Sequence, residues 1–104
     1  MFFLKQTSTP YSFHLNVGEV ADKLDFLYLT RIQKERFNGN VNNPYKLDVA
    51  SLVGVKPHLK IMHPLPRRNE LPEAVDETPY AYYFQQAQNG LFVRQALLKI
   101  LLGQ

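Results

Sequence analysis

Apolar residues fall into short runs separated by polar turns, and the spacing inside each run sets the elements to expect. Residues 11–15 alternate weakly, which predicts a short strand. Asn16 then stands as the cap of a helix carrying Val17, Val20, Ala21 and Leu24 on one core-directed face. Residues 26–29, Phe-Leu-Tyr-Leu, are continuously apolar, the pattern of a strand buried on both sides of a parallel sheet. Strand, helix and strand in that order make one right-handed crossover unit.

Turn residues dominate next. Asn38-Gly39-Asn40 and Asn42-Asn43-Pro44 predict a wandering surface loop. Asp48 caps a short helix through Val53, with Gly54 past its end and Pro57 blocking continuation, and residues 59–62 resume as a strand. Thr78 then reads as a cap and Pro79 as the first helical position. Phe84, Ala87, Leu91, Leu98 and Leu101 follow at three-four spacing until Gly103. Continuous over 79–102, that helix spans on the order of 36 Å at 1.5 Å per residue, with Asn89-Gly90 as its weak point. A helix of that length must pack beyond a small sheet. With no internal repeat, the pattern predicts an α/β fold: a partial parallel sheet with flanking helices, plus a long C-terminal helix.

Composition narrows the class. The chain has 104 residues, one domain or less, and its 45% hydrophobic and 20% charged content excludes disordered and fibrous proteins. The formal charge of +3 comes from scattered Lys and Arg that line no helix face, so nucleic acid is not an expected partner. Without cysteine there is no disulfide framework or thiolate metal site, and His14, His58 and His63 lack zinc spacing, so neither metal nor cofactor is expected. Lys5 and the polar residues after it interrupt the apolar start before a signal peptide develops, and no apolar stretch is long enough to cross a membrane. A cytoplasmic chain is the default expectation.

In open α/β sheets ligands bind beyond the carboxyl ends of strands, where two strings stand: TRIQKERF at 30–37 and HPLPRRNE at 63–70. In extended backbone Arg31, Gln33 and Glu35 project to one side. The arginine fork suits a carboxylate ligand, and a neighbouring glutamate can steady it. A solvated charged loop is the competing reading, and composition alone favours it. Pro64 and Pro66 lack N–H groups, which frees carbonyls around Leu65 to accept from an amide NH2. A rigid proline turn explains the same string. His63, with no evident carboxylate partner, reads as structural, and Tyr80, Tyr82, Tyr83 and Phe84 read as packing. Arg67 and Arg68 suit either phosphate or surface ion pairs.

Taken together, TRIQKERF, MHPLPRRNE at 62–70 and YFQQAQNGLFVRQALL at 83–98 resemble three consecutive blocks of the aspartate carbamoyltransferase catalytic chain, in order and spacing. The resemblance runs from near Tyr11 to the end and leaves out residues 1–10. The related ornithine enzymes are expected to carry cysteine where Pro64 stands, so aspartate is favoured as second substrate.

The resemblance implies part of the aspartate-binding, Rossmann-like lobe over 11–78, with 79–104 as the helix that packs on the carbamoyl phosphate lobe. Arg31 and Gln33 would bind the aspartate carboxylates and Glu35 would buttress Arg31. Pro64, Leu65 and Pro66 would bind carbamoyl phosphate, with backbone oxygens of Leu65 and Pro66 on its amino group and a cis Leu65-Pro66 bond. Arg36 and Arg67 would support a bridge between lobes, although Asn69 stands where some members carry aspartate.

The implied reaction joins carbamoyl phosphate and L-aspartate into carbamoyl aspartate and phosphate, for pyrimidine synthesis, in a homotrimer. The family's Ser-Thr-Arg-Thr phosphate loop, catalytic histidine and neighbour-supplied lysine have no counterpart in this sequence. No catalytic residue is therefore expected here, and a fragment inactive alone and marginally stable is the leading expectation. A stand-alone dicarboxylate-binding or subunit-interaction module is the alternative.

Overall fold

A computed structural model describes residues 6–31 and 46–103. The predicted loop at 38–44 lies outside these residues. Two short parallel strands form the sheet, β1 (Phe26–Tyr28) and β2 (Lys60–Met62), with Phe26 opposite Lys60, Leu27 opposite Ile61 and Tyr28 opposite Met62. The Leu29 N–H extends the pairing by donating to the Met62 carbonyl at 2.9 Å. On the other edge of β2, the Ile61 N–H donates to the Tyr80 carbonyl at 2.8 Å and the Ile61 carbonyl accepts from Tyr82 at 3.0 Å.

The core sits beneath β2. Leu47, Leu59, Ile61, Leu71, Val75 and Tyr83 are each at most 2% exposed, and burying an aliphatic side chain of this size stabilises by about 1.5–3 kcal/mol. Between the strands, Val49–Leu52 forms a 3-10 turn as the local signals predict. Asp48 Oδ1 accepts the Ala50 N–H at 3.0 Å, and Gly54 closes the segment at φ +81°, a left-handed conformation that suits glycine. Asp48→Ala is expected to lower stability by about 1 kcal/mol in a urea titration.

Several elements differ from expectation. Residues 11–15 form no strand, and Tyr11, Phe13 and Leu15 lie exposed with no neighbouring strand among the described residues. The crossover unit built on that strand is therefore absent. The segment after Asn16 folds as two 3-10 turns, Val17–Glu19 and Ala21–Lys23, because Gly18 and β-branched Val20 weaken an α-helix. Asn16 bonds Glu19 through its side chain at 3.2 Å and makes no side-chain cap bond. Only Ala21 of that face is fully buried, with Val17 and Leu24 packed against the core. β1 is not covered on both sides either: Phe26 and Tyr28 are 62% and 52% exposed.

The long helix, α1, spans Tyr83–Leu101 and so begins four residues after Pro79. Tyr80 and Tyr82 are taken up by β2, and Thr78 closes the preceding 3-10 helix Glu73–Glu77, its hydroxyl donating to the Val75 carbonyl at 2.7 Å. Asn89-Gly90 does not interrupt α1, whose length is about 28 Å at 1.5 Å per residue. The sheet covers only its first turns, and every described residue from Leu91 onward is exposed.

Candidate functional site

Because β1 and β2 run parallel, their carboxyl ends open on the same edge, with Thr30 and Arg31 leaving one and residues 63–66 leaving the other. Arg31 is exposed there. Gln33, Glu35 and Arg36 lie outside the described residues.

The second string folds around a buried imidazole. His63 Nδ1 accepts the Leu65 N–H at 2.8 Å, which leaves the ring proton on Nε2 to be donated to Glu70 Oε1 at 2.8 Å. Glu70 Oε1 also accepts the Arg68 N–H at 3.1 Å. His63 and Glu70 are 2% and 3% exposed, and every buried side-chain polar atom among the described residues has a partner. Burial raises the Glu70 carboxyl, but the N–H groups of Glu70 and Arg68, together with His63, outweigh it and hold the group below its ordinary value.

Leu65 has φ +48° and the Leu65-Pro66 peptide is cis, as the resemblance implies. Among the described residues no backbone N–H donates to the carbonyls of Pro64, Leu65 or Pro66. These oxygens can therefore accept from a ligand.

Arg67 turns the other way. Its guanidinium forms a two-point pair with Asp76, through Nη1 to Oδ1 and through Nη2 to Oδ2 at 2.7 Å, and the Tyr83 hydroxyl donates to Asp76 Oδ1 as well. These bonds hold the Asp76 carboxyl below the ordinary range, first through Arg67. Burial, then the bond to Asp76, pushes the Tyr83 hydroxyl up to about 12. The Arg67 side of the string thus ties the turn to the first turn of α1. An open groove lined by Lys46, Arg68, Asn69 and Glu73 borders it.

Gln86 completes the constellation. Its Oε1 accepts the His63 N–H at 2.9 Å, and its Nε2 donates to the Tyr28 hydroxyl at 3.2 Å, so one amide joins α1 to both strands. Among the described residues no group of three or more His, Cys, Asp or Glu is placed to hold a metal ion. No described helix is long and apolar enough to cross a membrane.

Residues 3–101 match the family described as aspartate/ornithine carbamoyltransferase, Asp/Orn binding domain. The chain belongs to this carbamoyltransferase family. It is 52% identical over 105 residues to the aspartate carbamoyltransferase catalytic subunit of Wigglesworthia glossinidia brevipalpis, covering 97% of this chain and 34% of that protein. It is 50% identical over 103 residues to catalytic subunit 2 of Shewanella halifaxensis, covering 95% and 33%. The carbamoyltransferase chain thus spans about a third of the length of these curated relatives.

Among solved structures, the aspartate transcarbamoylase of Trypanosoma cruzi in complex with aspartate and phosphate superposes with a TM-score of 0.66 at 44% identity, over 78% of this chain and 24% of that one. The same enzyme in complex with phosphate gives a TM-score of 0.69 at 37% identity, over 82% and 31%. These relatives agree with the α/β partial lobe and long helix expected from the sequence.

Within the carbamoyltransferase edge, sequence reasoning missed two side chains. Glu70 is the carboxylate partner that His63 was expected to lack, and the signal lay seven residues along in the same string. Gln86 carried no local signal, because its two partners come from 23 and 58 residues away.

Proposed function

We propose that this chain carries the aspartate-binding and carbamoyl-binding edge of an aspartate carbamoyltransferase, whose reaction converts carbamoyl phosphate and L-aspartate into carbamoyl aspartate and phosphate for pyrimidine synthesis. Arg31 and Gln33 bind the aspartate carboxylates, Glu35 steadies Arg31, and the Pro64-Leu65-Pro66 turn offers backbone oxygens to the carbamoyl NH2. Arg36 and Arg67 support the junction with the remaining lobe, on which α1 packs in a cytoplasmic homotrimer.

The observation that supports this reading is the meeting of two parallel strand ends beside a turn whose carbonyls no described backbone N–H satisfies. Nucleophilic attack by the aspartate amine requires no covalent enzyme intermediate, so positioning and charge stabilisation supply the rate. The positioning half is assigned to this chain and the charge-stabilising half to residues outside it.

Titration calorimetry tests the assignment. Saturable L-aspartate binding is expected for the chain, with affinity falling at least about tenfold in Arg31→Ala, the equivalent of about 1.4 kcal/mol for one charge-assisted contact. The isolated chain should form no carbamoyl aspartate from the two substrates. Unchanged binding in the variant would remove Arg31 from the site, and turnover without added protein would overturn the division of labour.

A further inference from the structure

His63 belongs to neither substrate contact proposed above, yet it is almost wholly enclosed and its ring is engaged at both nitrogens. A histidine that merely fills a core can take polar partners from anywhere in the fold. Here both ring partners come from the string that His63 itself begins: Leu65 two residues on, and Glu70 seven residues on. Glu70 also holds the Arg68 amide, so residues on both sides of Pro66 are stitched to one imidazole–carboxylate unit.

Leu65 supplies the second observation. It is a branched, half-buried residue at φ +48°, in the left-handed region that non-glycine residues rarely adopt. Such conformations persist where surrounding contacts hold them, and the bond from the Leu65 N–H to His63 Nδ1 is a polar contact that holds this one. Rotating the Leu65 peptide out of this arrangement would redirect the Pro64 carbonyl, which shares that peptide plane. The orientation of that carbonyl is therefore set by the ring.

We infer that His63 is a positioning residue for the carbamoyl-binding turn: Nδ1 fixes the Leu65 peptide, and Glu70 on Nε2 fixes the ring. The inference rests on the proposed function for the identity of the ligand. The chemistry recognised is a planar NH2 group attached to a carbonyl, presented to preset carbonyl oxygens; His63 itself touches no ligand atom.

Two amide substitutions separate the two ends of the ring. Asn Oδ1 falls near the place of Nδ1 and can still accept the Leu65 N–H, whereas a Gln amide reaches toward Glu70 and abandons Leu65. Carbamoyl aspartate and aspartate serve as probes, because both bring a dicarboxylate and only the first brings an NH2 on a carbonyl, aspartate carrying an ammonium in its place. The wild-type chain should prefer carbamoyl aspartate by about tenfold, the order expected of one or two added hydrogen bonds. His63→Asn should keep that preference within about threefold, and His63→Gln should bring it to about unity while aspartate affinity stays within about threefold of wild type. A purely structural role would weaken both probes together and leave the ratio unchanged.

Hydrogen exchange at the Leu65 amide gives a readout independent of any ligand, with protection retained in His63→Asn and lost in His63→Gln. Equal ratios in all three chains would overturn the inference, and if His63→Gln does not fold, a ratio near unity in folded His63→Asn does so alone. A wild-type chain that binds neither probe would overturn the proposed function instead. The Leu65 amide then decides the positioning role by itself: equal exchange in all three chains overturns it.

Discussion

Tyr83→Ala is expected to bring the chain to the edge of unfolding at room temperature. Tyr83 is the largest fully buried side chain among the described residues, it opens α1, and its hydroxyl donates to the carboxylate that pairs with Arg67. Truncating a buried aromatic costs about 3–5 kcal/mol, against a total of roughly 5–15 kcal/mol for an ordinary domain of this size. With most of α1 uncovered the total lies at the low end, so this one cavity consumes most of it. Tyr83→Phe keeps the ring and loses only the hydroxyl contact, at about 1 kcal/mol. Urea titrations of the three chains check both numbers, and an alanine variant within about 1 kcal/mol of wild type would remove Tyr83 from its place as the anchor of α1.

The second large effect is acid lability with a defined origin. Glu70 and Asp76 both titrate below their ordinary values: for Glu70 the burial cost is outweighed by N–H donors and His63, and for Asp76 the bond to Arg67 leads. A depressed folded-state value means that the stabilisation is fully present above the unfolded carboxylate range and is lost as pH falls through the folded value. The thermal midpoint should therefore stay level down to about pH 5 and drop steeply below about pH 4, where unfolded carboxylates titrate. Glu70→Gln should flatten part of that acid limb.

The alkaline limb has the opposite sign. Tyr83 is raised to about 12, so its contribution is present below the unfolded value of about 10 and disappears as pH rises toward 12. Tyr83→Phe should remove it. A wild-type midpoint indifferent to acid would show that neither carboxylate stabilises the fold.

What could be read from the sequence was local. Asp48 and Gly54 announced their turn correctly because a cap and a left-handed glycine are decided within a few residues of backbone. The strand pair was equally legible from its apolar runs, but its burial was not. A strand of Phe, Leu and Tyr looks the same whether one face or two are covered, and that depends on neighbours far along the chain. Pro79 misled for a related reason: the helical start it favours lost to the hydrogen bonds of Ile61, which hold the next residues extended.

At the site, the proline carbonyls and Arg31 were legible as residue types with a chemistry. The pairing of His63 with Glu70 was not, because it depends on how the intervening turn folds back. Gln86 shows the limit most clearly, since glutamine is ordinary on a helix surface and acquires meaning only from Tyr28 and the His63 amide beside it.

Mechanically, α1 is a lever clamped at one end. Its grip lies in Tyr83 and Gln86, and Gln86 holds the N–H of the same histidine whose ring holds the Leu65 amide. Some three turns of helix, from Leu91 on, extend beyond that grip with nothing from the described residues burying them. Two hydrogen bonds in series thus connect the root of this lever to the carbonyl turn. The far turns of α1 and the binding edge are thereby parts of one bonded framework, joined at the root of the helix.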